Sequence, residues 1–310
     1  MLRTTNREFA GVSAIVVAAI LACILAGGLL TTASSLAAQQ PEATEKKPKN
    51  RSLSWNPPKV DSPVPSVSLS PPCVLDHVLE QAGERTDELV SNLQNFSAQE
   101  KIDYQSSDRQ GFVRDSGSDT FDYVVIFHQA PGQPVVEESR KAAHGSSLSE
   151  ITARSRGLPE MVLMFLPAMR DDYEIKCEGT TEWEGQRAWV VRFEQRPDKP
   201  SRTFSVRGSG EVYPASLKGH AWIATDSGEV VHMETGLMNG IPAANLHQWY
   251  LSINYAPVQF RTRDVRIWLP EIADSYYDFG DHRDIVYHTF KDFLLFSVQS
   301  DQRIEKPKQH

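Results

Sequence analysis

The sequence predicts an α+β protein that is mostly antiparallel β, with a sheet that is strongly curved or nearly closed. Three observations carry this. Apolar and polar residues alternate over much of residues 96–304, so a period of two dominates. Turn signals such as Glu184-Gly185 and Asp226-Ser227-Gly228 separate the runs at short intervals. One strong helical period stands ahead of them, and no alternation of helix and strand follows it, which excludes a parallel βαβ fold.

Ahead of the folded region, residues 1–37 read as a secretory signal. Arg3 and Arg7 give a positive start, residues 11–30 carry no charge, and Ser35-Leu36-Ala37 offers a small-x-small cleavage site ending at Ala37. Two alternatives stay open. About 20 apolar residues suffice for a membrane anchor, and Ile20-Leu21-Ala22-Cys23 has a weak likeness to a lipid-attachment site. Residues 38–72 hold eight prolines and the basic patch Lys46-Lys47-Pro48-Lys49-Asn50-Arg51. Such a stretch cannot bury enough apolar surface to offset its ordering entropy, so a disordered proline-rich linker is expected there.

Residues 73–310 form the predicted folded domain. Its first element is a helix over 74–95, in which Leu75, Val78, Leu79, Ala82, Leu89 and Leu93 line one stripe, with Gly83 weakening the middle. Phe96, Ala98, Ile102 and Tyr104 then alternate as a strand, and Glu100 breaks the pattern by standing on the apolar parity. Either it is a buried carboxylate facing a cavity or it pairs with an arginine. A second strand follows at Phe121, Tyr123, Val125 and Phe127. Ser147 and Glu150 have capping-box spacing for a short helix over 148–156. Pro159 can open another over 160–166, which is apolar almost all round and so expected to be buried. From Tyr173 onward only strands are expected, with Ala256-Pro257 breaking one and Pro270 ending another. Ten to twelve strands result.

Composition narrows the partners. The formal net charge of −8 gives nothing to balance phosphate repulsion, so nucleic acid is excluded as a partner. Cys73 and Cys177 remain once the signal is removed. In an oxidising compartment an even pair suggests one disulfide, with two free thiols as the alternative.

No catalytic constellation, metal site or cofactor motif stands out. Ser147 within Gly145-Ser146-Ser147-Leu148-Ser149 lacks the closing glycine of a nucleophile elbow. His220 and His232 face each other across a hairpin without a third ligand and are expected to be solvated side chains at the surface. His282 reads as a hairpin tip, and Asp171-Asp172 as an exposed pair.

Two phrases carry a family likeness. One is Leu217-Lys218-Gly219-His220-Ala221-Trp222-Ile223-Ala224 with the hairpin Thr225-Asp226-Ser227-Gly228-Glu229-Val230-Val231. The other is the ending Phe290-Lys291-Asp292-Phe293-Leu294-Leu295-Phe296-Ser297-Val298. With the leading helix and the helical insertion, they give a chain that resembles the LolA-like superfamily of lipoprotein-sorting proteins over roughly residues 74–305. It departs from the dedicated carriers in its proline-rich leader and its greater length. The resemblance implies a half-open β-barrel whose apolar face, partly covered by helices, holds an acyl chain. It further implies a non-enzymatic protein of the periplasm or cell envelope, with a lipid or a lipidated protein as its partner. Trp189, Phe193, Trp222, Trp249 and Phe260 are the candidate lining residues, and plain core packing is the alternative for each. The other functional reading is an envelope sensor or interaction domain that binds another protein without a lipid cavity.

Overall fold

The computed structural model describes residues 55–92, 95–130, 133–142, 151, 155–208, 210–260 and 264–296. The signal segment with Ala37, and all of the helix expected over 148–156 but residues 151, 155 and 156, lie outside the described residues.

Helix α1 (Leu75–Asn92) turns its apolar stripe inward, burying Val78, Leu79, Ala82 and Val90. Gly83 is where α1 presses on the insertion: a Cβ there would stand 3.1 Å from the Phe165 carbonyl oxygen. Its cost to helix propensity is thus offset by a close approach.

The strands are β1 (Asn95–Asp108), β2 (Val113–Ala130), β3 (Gln133–Ala142), β4 (Tyr173–Trp183), β5 (Gln186–Gln195), β6 (Ser205–Gly208) and β7 (Glu211–Pro214). They continue with β8 (Leu217–Ala224), β9 (Val230–Leu237), β10 (Leu246–Phe260), β11 (Val265–Phe279) and β12 (His282–Leu295). Ten of them form one sheet in the order β3-β2-β1-β12-β11-β10-β9-β8-β5-β4, and β6 and β7 make a separate hairpin. The paired strands are all antiparallel, and β3 and β4 do not meet, so the sheet stays unclosed. Between β3 and β4 comes the helical insertion, a 3-10 turn (Met161–Phe165) followed by a four-residue helix, α2 (Pro167–Arg170).

Two prolines behave differently from the expectation. Ala256-Pro257 lies inside β10 and Pro270 inside β11, with Tyr255 paired to Pro270. The reason is the register of the outer neighbours. Strand β9 pairs with β10 only over Tyr250 to Asn254, and β12 pairs with β11 only from Ile272 on. Each proline therefore stands where its strand has lost one neighbour and needs no N–H on that side.

The expected linker also needs correction over its second half. Residues 55–72 form a strap across the outer face, the one opposite α1. Trp55 packs on Tyr250, Tyr276 and Tyr287 with ring centroids 5.6, 6.3 and 6.3 Å away. Asp61 binds Lys218 at 2.6 Å and Arg192 at 3.2 Å. Val64 and Val67 cover Ala188, Val190, Trp222 and Val231. Ser68 and Thr180 exchange backbone hydrogen bonds of 2.7 and 2.8 Å at the free edge of β4. Gly179 permits that approach: its φ is +133°, and a Cβ there would lie 2.3 Å from the Ser68 carbonyl oxygen. Composition argues for disorder, yet a few large residues placed against complementary ones are enough to dock such a chain. The Cys73–Cys177 disulfide then ties the strap's end to β4, where the chain enters α1.

Candidate functional site

The inner face is built by the parity of the strands. Residues of β1, β2, β10, β11 and β12 that alternate inward meet α1 and the insertion in one apolar core. The insertion is the unusual part. Met161, Val162, Leu163, Met164, Phe165 and Leu166 are all buried, so this short segment is apolar on every side and fills the hollow of an unclosed sheet. Beside it a cleft of about 110 Å³ opens between the β3 edge (Pro134, Val135, Val136) and Glu160, Leu163, Met169, Arg202 and Thr203. A drug-sized ligand needs roughly 300–1,000 Å³. The described conformation is closed around its own side chains.

The aromatic candidates separate by face. Phe193, Trp249 and Phe260 belong to the inner core, with Trp249 stacked on Phe204 at 4.1 Å, and Trp189 packs against that core half-buried. Trp222 does not join them. It lies on the outer face with Trp183 and His232, under the strap, because β8 turns Ile223 inward and Trp222 therefore outward.

Several polar residues are more buried than the sequence suggests. His220 and His232, expected at the surface, are each 2% exposed. His232 stacks on Trp183 at 3.8 Å and its Nδ1 lies 2.6 Å from Asn254 Oδ1; His220 stands 3.4 Å from Glu178. Asp172, expected to be exposed, is buried and accepts a 2.8 Å hydrogen bond from Arg202 Nε. His282 does sit at the β11–β12 hairpin, beside Asp281.

The main polar feature of the inner face is a cluster centred on Glu100. The Arg140 guanidinium holds it in two bonds of 2.5 and 2.9 Å, so Glu100 is buried as an arginine's partner, and it lines neither of the clefts found among the described residues. His288 Nδ1 lies 2.8 Å from the second Glu100 oxygen, and His288 Nε2 lies 2.7 Å from Ser155 Oγ. Glu138 accepts a 2.8 Å hydrogen bond from the Gly157 amide. Burial pushes the Glu100 carboxyl up, but Arg140 and His288 outweigh it and hold the group below its usual range. Burial raises Glu138, against a smaller opposing pull from Arg140. Glu160 is pushed up to about 8, mainly by burial and further by Glu138. Sequence reasoning found Glu100 through its parity. It could not find Arg140, His288 or Ser155, which join it only through strand register. Among the described residues no group of His, Cys, Asp or Glu is arranged to hold a metal.

No family model matches the sequence, and no curated protein matches it significantly. The chain has a remote likeness to several solved structures. A DUF1329 family protein from Desulfovibrio piger is 10% identical, over 74% of this chain and 97% of its own, with a TM-score of 0.39. A domain provisionally assigned to outer membrane lipoprotein sorting, from Vibrio parahaemolyticus, is 12% identical over 73% and 95%, at 0.38. A LolA superfamily protein from Nitrosomonas europaea is 11% identical over 74% and 97%, at 0.33. The architecture implied by the resemblance, one large unclosed antiparallel sheet with a leading helix and a helical insertion, is the one observed.

Proposed function

We propose that this protein binds an amphiphile through its acyl chain, with the chain taking the place of the insertion on the inner face. The observation that supports it is the complete burial of Met161 to Leu166 inside an unclosed sheet. Burying a large apolar side chain is worth about 1.5–3 kcal/mol, so six of them hold the insertion with roughly 10–15 kcal/mol. A chain of about 15 methylenes, at about 0.8 kcal/mol each, brings a similar amount. The exchange is close to balanced, which is what reversible loading requires. A disulfide fits an exported protein, and the disulfide and the Asp61 ion pairs fasten the strap, not the insertion, to the sheet.

Native mass spectrometry of the protein purified from its own envelope tests this. A lipid mass retained on the folded chain is expected. An empty chain that also fails to take up added palmitoyl lysophospholipid would overturn the proposal, and a retained protein mass would favour an interaction domain.

A further inference from the structure

The cluster on the inner face holds a second arrangement that acyl binding does not use. Ser155 Oγ, the His288 ring and the Glu100 carboxylate form a continuous chain, Oγ to Nε2 at 2.7 Å and Nδ1 to Oε1 at 2.8 Å. A nucleophile, a base on one ring nitrogen, and a carboxylate on the other nitrogen is the geometry that activates serine on unrelated folds. The three residues are nearly sealed, at 1%, 0% and 0% exposure. Buried serine–histidine pairs can be purely structural, so the surroundings must decide. Arg140 keeps Glu100 ionised, so Glu100 accepts a hydrogen bond from the Nδ1–H of His288 and thereby turns the unprotonated Nε2 towards the Ser155 hydroxyl. The hydroxyl of Tyr277 lies next to Ser155 and Ser275, and the Trp249 indole N–H lies by Tyr277 without a well-formed hydrogen bond of its own. A hydroxyl and an indole N–H near the nucleophile are the kind of donor that stabilises the oxyanion on the substrate carbonyl.

We infer that Ser155, His288 and Glu100 form a latent acyl-transfer site that cleaves carboxylic esters of long-chain acids. The location suits that class. The apolar run begins at Leu158, three residues past Ser155, so an acyl chain replacing the insertion would bring its carbonyl end to the polar cluster. Gly157, with φ +85°, lies between them and lets residues 158–166 swing while Ser155 stays on His288. Ser155 Oγ attacks the ester carbonyl as its proton passes to His288 Nε2. The carbon–oxygen bond to the alcohol breaks, and that alcohol leaves with the proton from His288. Water, deprotonated by His288, then attacks the acyl-serine, releasing the fatty acid and returning the proton to Ser155. Ser155 and His288 are the catalytic residues, and Glu100 is a positioning residue acting through the histidine.

The site goes beyond acyl binding and depends on that reading only for its chain-length preference. The test is labelling of the whole protein with a fluorophosphonate, which forms an O–P bond to an activated serine and expels fluoride. Labelling is run in buffer and again with enough non-denaturing detergent to open the inner face, followed by peptide mapping. One probe mass per chain, on the peptide containing Ser155, is expected in detergent. A chain that stays folded and takes no probe under either condition, or takes it on scattered serines, overturns the inference without any variant being needed. With p-nitrophenyl butyrate as substrate, His288→Gln should lower the rate about 100-fold or more. Glu100→Gln, with the rate referred to the fraction that circular dichroism shows folded, should lower kcat with KM kept, whereas a merely structural role would leave the folded fraction at the unsubstituted rate. A butyrate rate with no gain for the palmitate ester would uphold the relay and count against the acyl-binding reading instead.

Discussion

Arg140 and Glu100 show how one ion pair on the inner face governs the residues around it. Glu100 has no exposed surface, and its charge is tolerated because two guanidinium bonds and a histidine surround it. Removing one partner of a buried pair leaves the other uncompensated, at a cost of about 3–5 kcal/mol. Arg140→Met should therefore lower the unfolding free energy by that much, read as a lower urea midpoint at unchanged slope, and adding Glu100→Gln should recover part of the loss. Glu100 announced itself in the sequence by breaking an alternating pattern. Its partners did not, because Arg140 is 40 residues away and His288 is 188, and only strand pairing brings them together. Trp222 misleads for the opposite reason. Its size marks it as buried, but a one-residue offset in parity decides which face buries it.

Among the elements, the insertion and the strap carry the testable energetics. Glu160 opens the insertion and lines the cleft with its carboxyl pushed up to about 8. A raised value means that the fold favours the protonated form. The corresponding stability is complete below the ordinary carboxylate range near 4.3 and is lost as pH rises through about 8. The melting temperature should fall between pH 5 and 8.5, and Glu160→Gln should flatten that slope. The disulfide closes a separation of 104 residues, for which chain entropy allows about 4–5 kcal/mol. Reductant, or Cys73→Ala with Cys177→Ala, should lower the melting temperature markedly; an unchanged value would show that the strap docks without it. The helix, the alternating strands and the buried insertion were legible because each is a local pattern. The docked half of the proline-rich segment was not. Its hold on the sheet comes from single residues, Trp55, Asp61 and Val67, whose sites lie on distant strands. Pro257 and Pro270 read as breaks for a similar reason, since the freedom of their strand edges depends on where β9 and β12 stop.

For the whole molecule, two layers divide the work. The outer face is closed by the strap, and the inner face by α1 and the insertion, whose place the proposal gives to an acyl chain. The sheet is fixed by register over long antiparallel pairs, so the proposed exchange requires the insertion to move and not the strands. Hydrogen exchange measured by mass spectrometry, with and without palmitoyl lysophospholipid below its micellar concentration, tests this most directly. The amides of Leu163, Leu166, Met169 and Arg170 are bonded within the insertion. With ligand bound, the account predicts faster exchange across residues 158–170 and unchanged or slower exchange in β10, β11 and β12. Ligand binding that leaves residues 158–170 unchanged or more protected would contradict it.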